Sequence, residues 1–463
     1  MYSEFLELCG FEPEEIKREM PRVERLFGRL HLGAEDIKQA EKRISENFEV
    51  QLKGVREILG VWLRELMALV LAREEGKRIV YTAIIAPPEK CMAATLASKD
   101  VYCGEPGWVL SVVLGGILGK IDPLLEAAEK HALTAAGDHC GLNKIRLGMC
   151  LLEIVPQPDL YTTFSCLCDD GPKVEDLICE LFGTPVSYVQ ACQDQDPDTY
   201  PEISQRQWHY MADSFKRDNE RFHEVIGFEI PDEAMNTAIE WRRKLAAPYV
   251  RLLSLLATDP QPLSQADMGL LHALLQMPVL ERERAIVAME SLCTEVEQRV
   301  REGVGVVEKG APRVLIPGMP SLVDPELTRM VEQLGLSVPI MEFSFAPKTR
   351  RPLPETSEPT EIWARRFLAT NPFQVYTCRV EKLIEACQAF NVDGVLWINH
   401  HPCRPGATDA MILKEAVTER LGLPMLMLDM ELYDSRYYSL EQLRTRIEPF
   451  AEMLKGTKAA KAG

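Results

Sequence analysis

Apolar residues first recur along this chain at intervals of three and four. Val23, Leu26, Phe27 and Leu30, then Val55, Ile58, Leu59, Leu63 and Leu66, stand among dense charges between Glu4 and about Lys77. That period predicts amphipathic helices. Pro21 and Gly33 are expected to punctuate this helical module, and the charged segment AREEGKR closes it. At Ile79 the period changes, because IVYTAIIAPP is a β-branched run ended by prolines. Such a run predicts a strand covered on both faces, as in a parallel sheet. From Cys91 to Gln190 helix-like and strand-like segments alternate. From about Tyr200 to Gly310 the pattern is helical and charge-rich, through WRRKLAAPYVRLLSLL and ERERAIVAMESLCTEVEQRVREG. A second alternation opens with RVLIPGMPS at Arg313 and runs to Leu454, ahead of the low-complexity tail KGTKAAKAG.

Two stretches repeat one plan. PDLYTTFSCLC, from Pro158 to Cys168, is followed by a helix-like segment, then Gly183-Thr184-Pro185 and VSYVQ. VDGVLWINHHPC, from Val392 to Cys403, is followed by a helix-like segment, then Gly422-Leu423-Pro424 and MLMLD. Each reads strand, cysteine, helix, Gly-x-Pro, strand. The expected architecture is α/β, with two Rossmann- or flavodoxin-like parallel-sheet domains. The expected units are an N-terminal helical module (1–77), a first α/β domain (78–205), a helical bridge (206–310) and a second α/β domain (311–463). In sheets of this kind functional residues gather at the carboxyl ends of the strands. Cys168 and Cys403 both lie there.

Length and charge narrow the class. A chain of 463 residues is too long for one core and fits two or three domains. Its 52 Lys and Arg against 70 Asp and Glu leave a formal charge of −18. An acidic surface argues against nucleic-acid or anionic-membrane partners, which are held by clustered cations. No apolar run approaches the ~20 residues of a membrane span. The first residues, MYSEFLELCGFEPEEIKREM, lack the basic and apolar regions of a secretory signal, so a cytoplasmic location is expected. The 13 cysteines are then expected to be mostly reduced rather than disulfide-bonded.

Cys140, in the Gly-bounded turn GDHCGLNK, is a third candidate beside Cys168 and Cys403. Three thiolates from separate loops suit an iron–sulfur cluster with one open iron. On spacing alone the rival reading is that each is a buried packing residue, and Cys166 in the CxC stands as the alternative to Cys168. Cys9, Cys150, Cys179, Cys192, Cys293, Cys378 and Cys387 read as core, while Cys91 and Cys103 resist placement. His400 and His401 are candidates for donating hydrogen bonds to sulfur or relaying protons. Glu105 in CGEPGW and Asp138-His139 are weaker acid/base candidates. Asp434 and Arg436 read as an ion pair fixing a loop. The glycines of VLSVVLGGILGK do not form a dinucleotide fingerprint, and no Gly-x-x-x-x-Gly-Lys-Ser/Thr phosphate loop occurs.

DHCGLNK, PDLYTTFSCLCD…GTPVSYV and VDGVLWINHHPC…KEAVTERLGLPMLMLDMELYDSRYYSLEQLRTRIEPFAEML together resemble the subunits of the 2-hydroxyacyl-CoA dehydratases and ATP-dependent benzoyl-CoA reductases. The likeness runs from about Arg78 to Leu454, with the last motif the most specific. The resemblance implies a [4Fe-4S] cluster held by Cys140, Cys168 and Cys403, an acyl-CoA substrate, a second related or identical subunit, and a separate ATP-hydrolysing iron–sulfur activator that donates a low-potential electron. Dehydration and ring reduction both remain open. A non-catalytic partner subunit and a double-cubane cluster protein are the alternatives; the latter needs about twice as many ligating cysteines, and only Cys378, Cys387 and Cys403 follow Arg313.

Overall fold

The computed structural model describes residues 2–83, 86–134, 139–165, 168–191, 204–318, 321–345, 356–370 and 376–462. Its two sheets share one plan. Strands β1 (Arg78–Thr82), β2 (Val101–Gly104), β3 (Leu160–Ser165) and β4 (Val186–Gln190) form the first, in the order β2-β1-β3-β4. Strands β5 (Arg313–Ile316), β6 (Ser337–Met341), β7 (Gly394–His400) and β8 (Met425–Met430) form the second, in the order β6-β5-β7-β8. Every neighbouring pair is parallel. This is the flavodoxin-like order, and its switch points fall between β1 and β3 and between β5 and β7. The inner strands are apolar because helices cover both faces, as the pattern of IVYT and VLWI predicts.

Helices Pro13–Arg29, Ala34–Asn47 and Lys53–Leu71 make up most of the N-terminal segment. The helix Pro13–Arg29 runs through Pro21, where the sequence suggests a break. Pro21 is exposed, so the carbonyl deprived of its partner can turn to water. The helix Lys53–Leu71 is apolar nearly all round and packs on Arg282–Glu302 of the helical stretch between the sheets. Buried Glu65 joins the two by accepting the N–H groups of Leu280 (2.7 Å) and Glu281 (3.1 Å). One apolar core therefore runs from Phe5 to Leu454, and a smaller one lies around Leu315, Ile384, Trp397 and Leu413 in the second sheet.

The two halves also meet at Ser111–Ile117, a π-helical turn. A Cβ on Gly116 would lie 2.4 Å from the Leu322 carbonyl oxygen, so the glycine permits close backbone approach. Arg43 secures the junction by donating to the carbonyls of Gly116 (2.8 Å) and Val323 (3.0 Å) and pairing with Glu326 (2.6 Å).

Cys91 and Cys103 form a disulfide, with Cα atoms 4.9 Å apart. The pair, which the sequence leaves unplaced, thus departs from the expectation that the cysteines are mostly reduced. The helix Glu89–Ala97 packs on β2, which puts the two side chains within bridging range.

Candidate metal centre

Each candidate cysteine stands where a strand or loop turns into a helix. Cys140 precedes Gly141–Leu151, Cys168 lies between β3 and Asp170–Phe182, and Cys403 lies between β7 and the short helix Arg404–Ala407. The local reason is common to all three. Amides at a helix start have no intrahelical acceptor, and a sulfur placed there receives them. The Leu142 amide acts on the Cys140 sulfur and those of Gly171 and Asp170 on Cys168, while the Gly406 amide, near Cys403, also donates to the Cys403 carbonyl at 3.0 Å. The Gly171 N–H lies 3.3 Å from Cys168 Sγ.

Three tethers bring these turns together. Asp170 joins the Cys140 and Cys168 turns: its carboxylate accepts from the Cys140 amide (3.3 Å) and from Asn143 Nδ2 (2.6 Å), and lies 2.8 Å from His139 Nδ1. Arg404 Nη1 joins the Cys403 and Cys168 turns through Asp169 Oδ2 at 2.9 Å. His400 and Glu431 join the Cys140 turn to the second sheet. His400 Nε2 lies 3.3 Å from Cys140 Sγ, and Glu431 accepts the N–H groups of Gly141 (3.1 Å) and Tyr433 (3.0 Å). A Cβ on Gly141 would lie 2.7 Å from Glu431 Oε2. Only glycine lets the second half come this near.

The electrostatics follow from this convergence. Burial pushes the Cys140 thiol well above its ordinary value, and negative charge on Glu431, Cys403 or Cys168 acts in the same direction. Burial raises Cys168 also, against its amide donors. Cys403 is pushed up to about 11 by burial, with the Gly406 amide opposing, Cys168 reinforcing and Arg379 opposing. The three thiols are thus close enough to sense one another's charge. A thiophilic metal would displace their protons on binding.

Cations near the thiols are already neutralised. Arg379 makes a bidentate pair with buried Glu342 (2.8 and 2.9 Å) and reaches Asp409 (2.7 Å). Arg146 is held by Glu175 and by the Tyr161 hydroxyl (2.7 Å). Soft thiols, amide donors to sulfur and little uncompensated positive charge form a donor set that suits an iron–sulfur group. Among the described residues, Cys140, His400 and Glu431 also present donor atoms within 4.8 Å of one another.

The other candidates fall in different places. His401 is exposed, and its amide donates to the Met430 carbonyl at 3.2 Å. Glu105 is buried and caps the helix Pro106–Leu110 by accepting from the amides of Gly107 and Trp108, a structural position beside Arg146. Asp434 and Arg436 form the expected pair at 2.6 Å, and Arg436 also reaches Glu129 at 2.7 Å. Cys166, Asp138 and Cys192 lie outside the described residues. Asp170 and Glu431 were missed by sequence reasoning, since no spacing marks a carboxylate as a tether between loops.

Fold and site define a class: two flavodoxin-like sheets, with Cys168 and Cys403 following strands at their carboxyl edges and Cys140 tied by hydrogen bonds to both halves. The chain belongs to the 2-hydroxyglutaryl-CoA dehydratase, D-component, family, whose model matches residues 83–454. It is 21% identical over 428 residues to the lactoyl-CoA dehydratase subunit alpha of Anaerotignum propionicum, covering 84% of this chain and 93% of that one. The putative dehydratase subunit YjiM of Escherichia coli is 24% identical over 368 residues, covering 76% and 90%. The (R)-phenyllactyl-CoA dehydratase alpha subunit of Clostridium sporogenes is 21% identical over 397 residues, covering 84% and 92%. No helix among the described residues is long and apolar enough to cross a membrane.

Proposed function

We propose that this chain is the iron–sulfur subunit of a 2-hydroxyacyl-CoA dehydratase, with Cys140, Cys168 and Cys403 holding a [4Fe-4S] cluster. The convergence of the three thiols, tied pairwise through Asp170, Arg404 and the His400–Glu431 pair, carries this reading. Such a cluster, when bound, supplies one-electron reduction of a thioester that reaches its open iron. The chain's own residues do the rest. Asp170 and Glu431 hold the loops in register. The helix-start amides stabilise thiolate sulfur, and the carboxylates on Arg379 and Arg146 keep the local charge from turning positive.

The family match and the relatives named as CoA dehydratase alpha subunits support a lyase acting on an acyl-CoA, together with a second subunit. An ATP-hydrolysing activator belongs to the same reading, because the chain has no phosphate loop of its own. Charge on Cys140, Cys168 and Cys403 acts between these three thiols, and only Cys378, Cys387 and Cys403 follow Arg313 in the sequence, which favours a single cluster over a double cubane. Anaerobic purification with iron and sulfide analysis tests this. About four irons per chain are expected for one such cluster. Cys140→Ser, Cys168→Ser and Cys403→Ser should each strip it, whereas Cys179→Ser should not. About eight irons would replace the single cluster by a double one, and none would refute both.

A further inference from the structure

The His400 ring stands between the Cys140 sulfur and the turn after β8. Its Nδ1 accepts the Leu432 N–H at 3.1 Å, and its Nε2 lies 3.3 Å from Cys140 Sγ. The Glu431 Oε1 lies 3.4 Å from the same nitrogen, but the shorter contact there is the Leu432 amide, and because a backbone amide only donates, Nδ1 presents a lone pair to it. An imidazole with a lone pair on Nδ1 carries its proton on Nε2, and this tautomer follows from the partners. That proton points at sulfur. The ring is buried and lies edge-on to Tyr433, with centroids 5.5 Å apart. Turning it over would set a carbon against the Leu432 amide and leave the donor unpaired.

From this geometry we infer that His400 is a positioning residue that donates its Nε2–H to the Cys140 thiolate, and is not a metal ligand. To coordinate, Nε2 would have to give up its proton to Nδ1, which would then face the Leu432 N–H donor to donor. Glu431, the other non-sulfur donor nearby, is engaged at both carboxylate oxygens by the Gly141 and Tyr433 amides. Neither side chain is set up as a fourth ligand. A hydrogen bond to sulfur withdraws electron density from it and favours the more electron-rich, reduced state of a bound cluster. This inference rests on the three-thiol reading proposed above.

The test uses full-length protein reconstituted anaerobically, with 15N-labelled histidine, examined by pulsed EPR in H2O and D2O and by redox titration. We expect a weak coupling from the labelled histidine nitrogen and an exchangeable proton coupling additional to those of the backbone amides in the wild type, both lost in His400→Phe. The midpoint potential of His400→Phe should shift negative, and His400→Gln, which retains an N–H donor, should recover part of the shift. A strong coupling from directly bonded nitrogen, or a His400→Phe potential equal to the wild type, would overturn the inference. If His400→Phe fails to fold, the wild-type spectra and His400→Gln still decide. Wild-type protein that takes up no cluster would remove the three-thiol reading itself, whereas a loaded wild type without the exchangeable coupling would sink the role of His400 alone.

Discussion

Gly141 follows Cys140 in the first turn of its helix, where the loop after β8 presses on it. In Gly141→Ala the added methyl would lie 2.7 Å from Glu431 Oε2 and 3.0 Å from both the carbonyl carbon and Cβ of Tyr433. None of these yields easily. Glu431 is buried and anchored by two amides, and the Tyr433 contacts are backbone or the root of a buried side chain. Overpacking of this kind costs about 1–3 kcal/mol. If the turn retreats instead, the Gly141 N–H loses its carboxyl acceptor, at a similar cost of roughly 1–3 kcal/mol. The expected loss by either route is therefore about 1–3 kcal/mol of unfolding free energy. It should come with reduced iron uptake, because the same retreat moves Cys140 away from Cys403. Gly28→Ala is the control. Nothing lies within 4 Å of the added methyl near the end of Pro13–Arg29, and a gain of up to about 1 kcal/mol is expected from helix propensity. Urea unfolding of the metal-free protein and iron analysis after reconstitution measure both. Gly141→Ala protein with parental stability and full iron content would refute the close apposition of the two halves at Cys140.

Two further outcomes follow from buried charges. Burial pushes the Glu65 carboxyl up to about 8, against the Glu281 and Leu280 amides. A carboxyl raised in the folded state binds its proton more tightly there, so its contribution is complete below its ordinary range near 4.5 and lost as pH rises through about 8. Glu65→Gln keeps an oxygen for both amides without the charge. It should raise the thermal midpoint at pH 9 and leave it nearly unchanged at pH 5; equal effects at the two pH values would argue against this. Arg379→Met should cost about 3–5 kcal/mol by leaving Glu342 buried without its bidentate partner, and adding Glu342→Gln should restore much of the loss. Additive effects in that cycle would show that the two side chains do not act as a pair.

What one dimension can record, it recorded well. The three-and-four spacing of Val23 to Leu66 determined helices, and the apolar runs at Ile79 and Val395 determined parallel strands, because a residue's local period follows from which faces of its element are covered. The matched strand–cysteine–helix stretches also marked Cys168 and Cys403, since both follow the third strand of a sheet with the same order. Pro21 went astray for a local reason: an exposed position tolerates a proline that a buried turn would not.

Only the tertiary structure decided how the thiols meet. The contact of Cys140 with His400 spans 260 positions, and that of Gly141 with Glu431 spans 290. Neither leaves a periodic trace, because a tether between loops needs one carboxylate or one ring at the right point and imposes nothing on its neighbours in sequence. Glu105 illustrates the converse. Its position beside a cysteine suggested chemistry, yet burial and two amide donors make it a helix cap. The pattern of the chain thus determined which elements form and which strand ends carry sulfur. Packing of the two sheets, through contacts hundreds of residues apart, determined that the Cys140 turn meets the second sheet and that the His400 ring faces its sulfur.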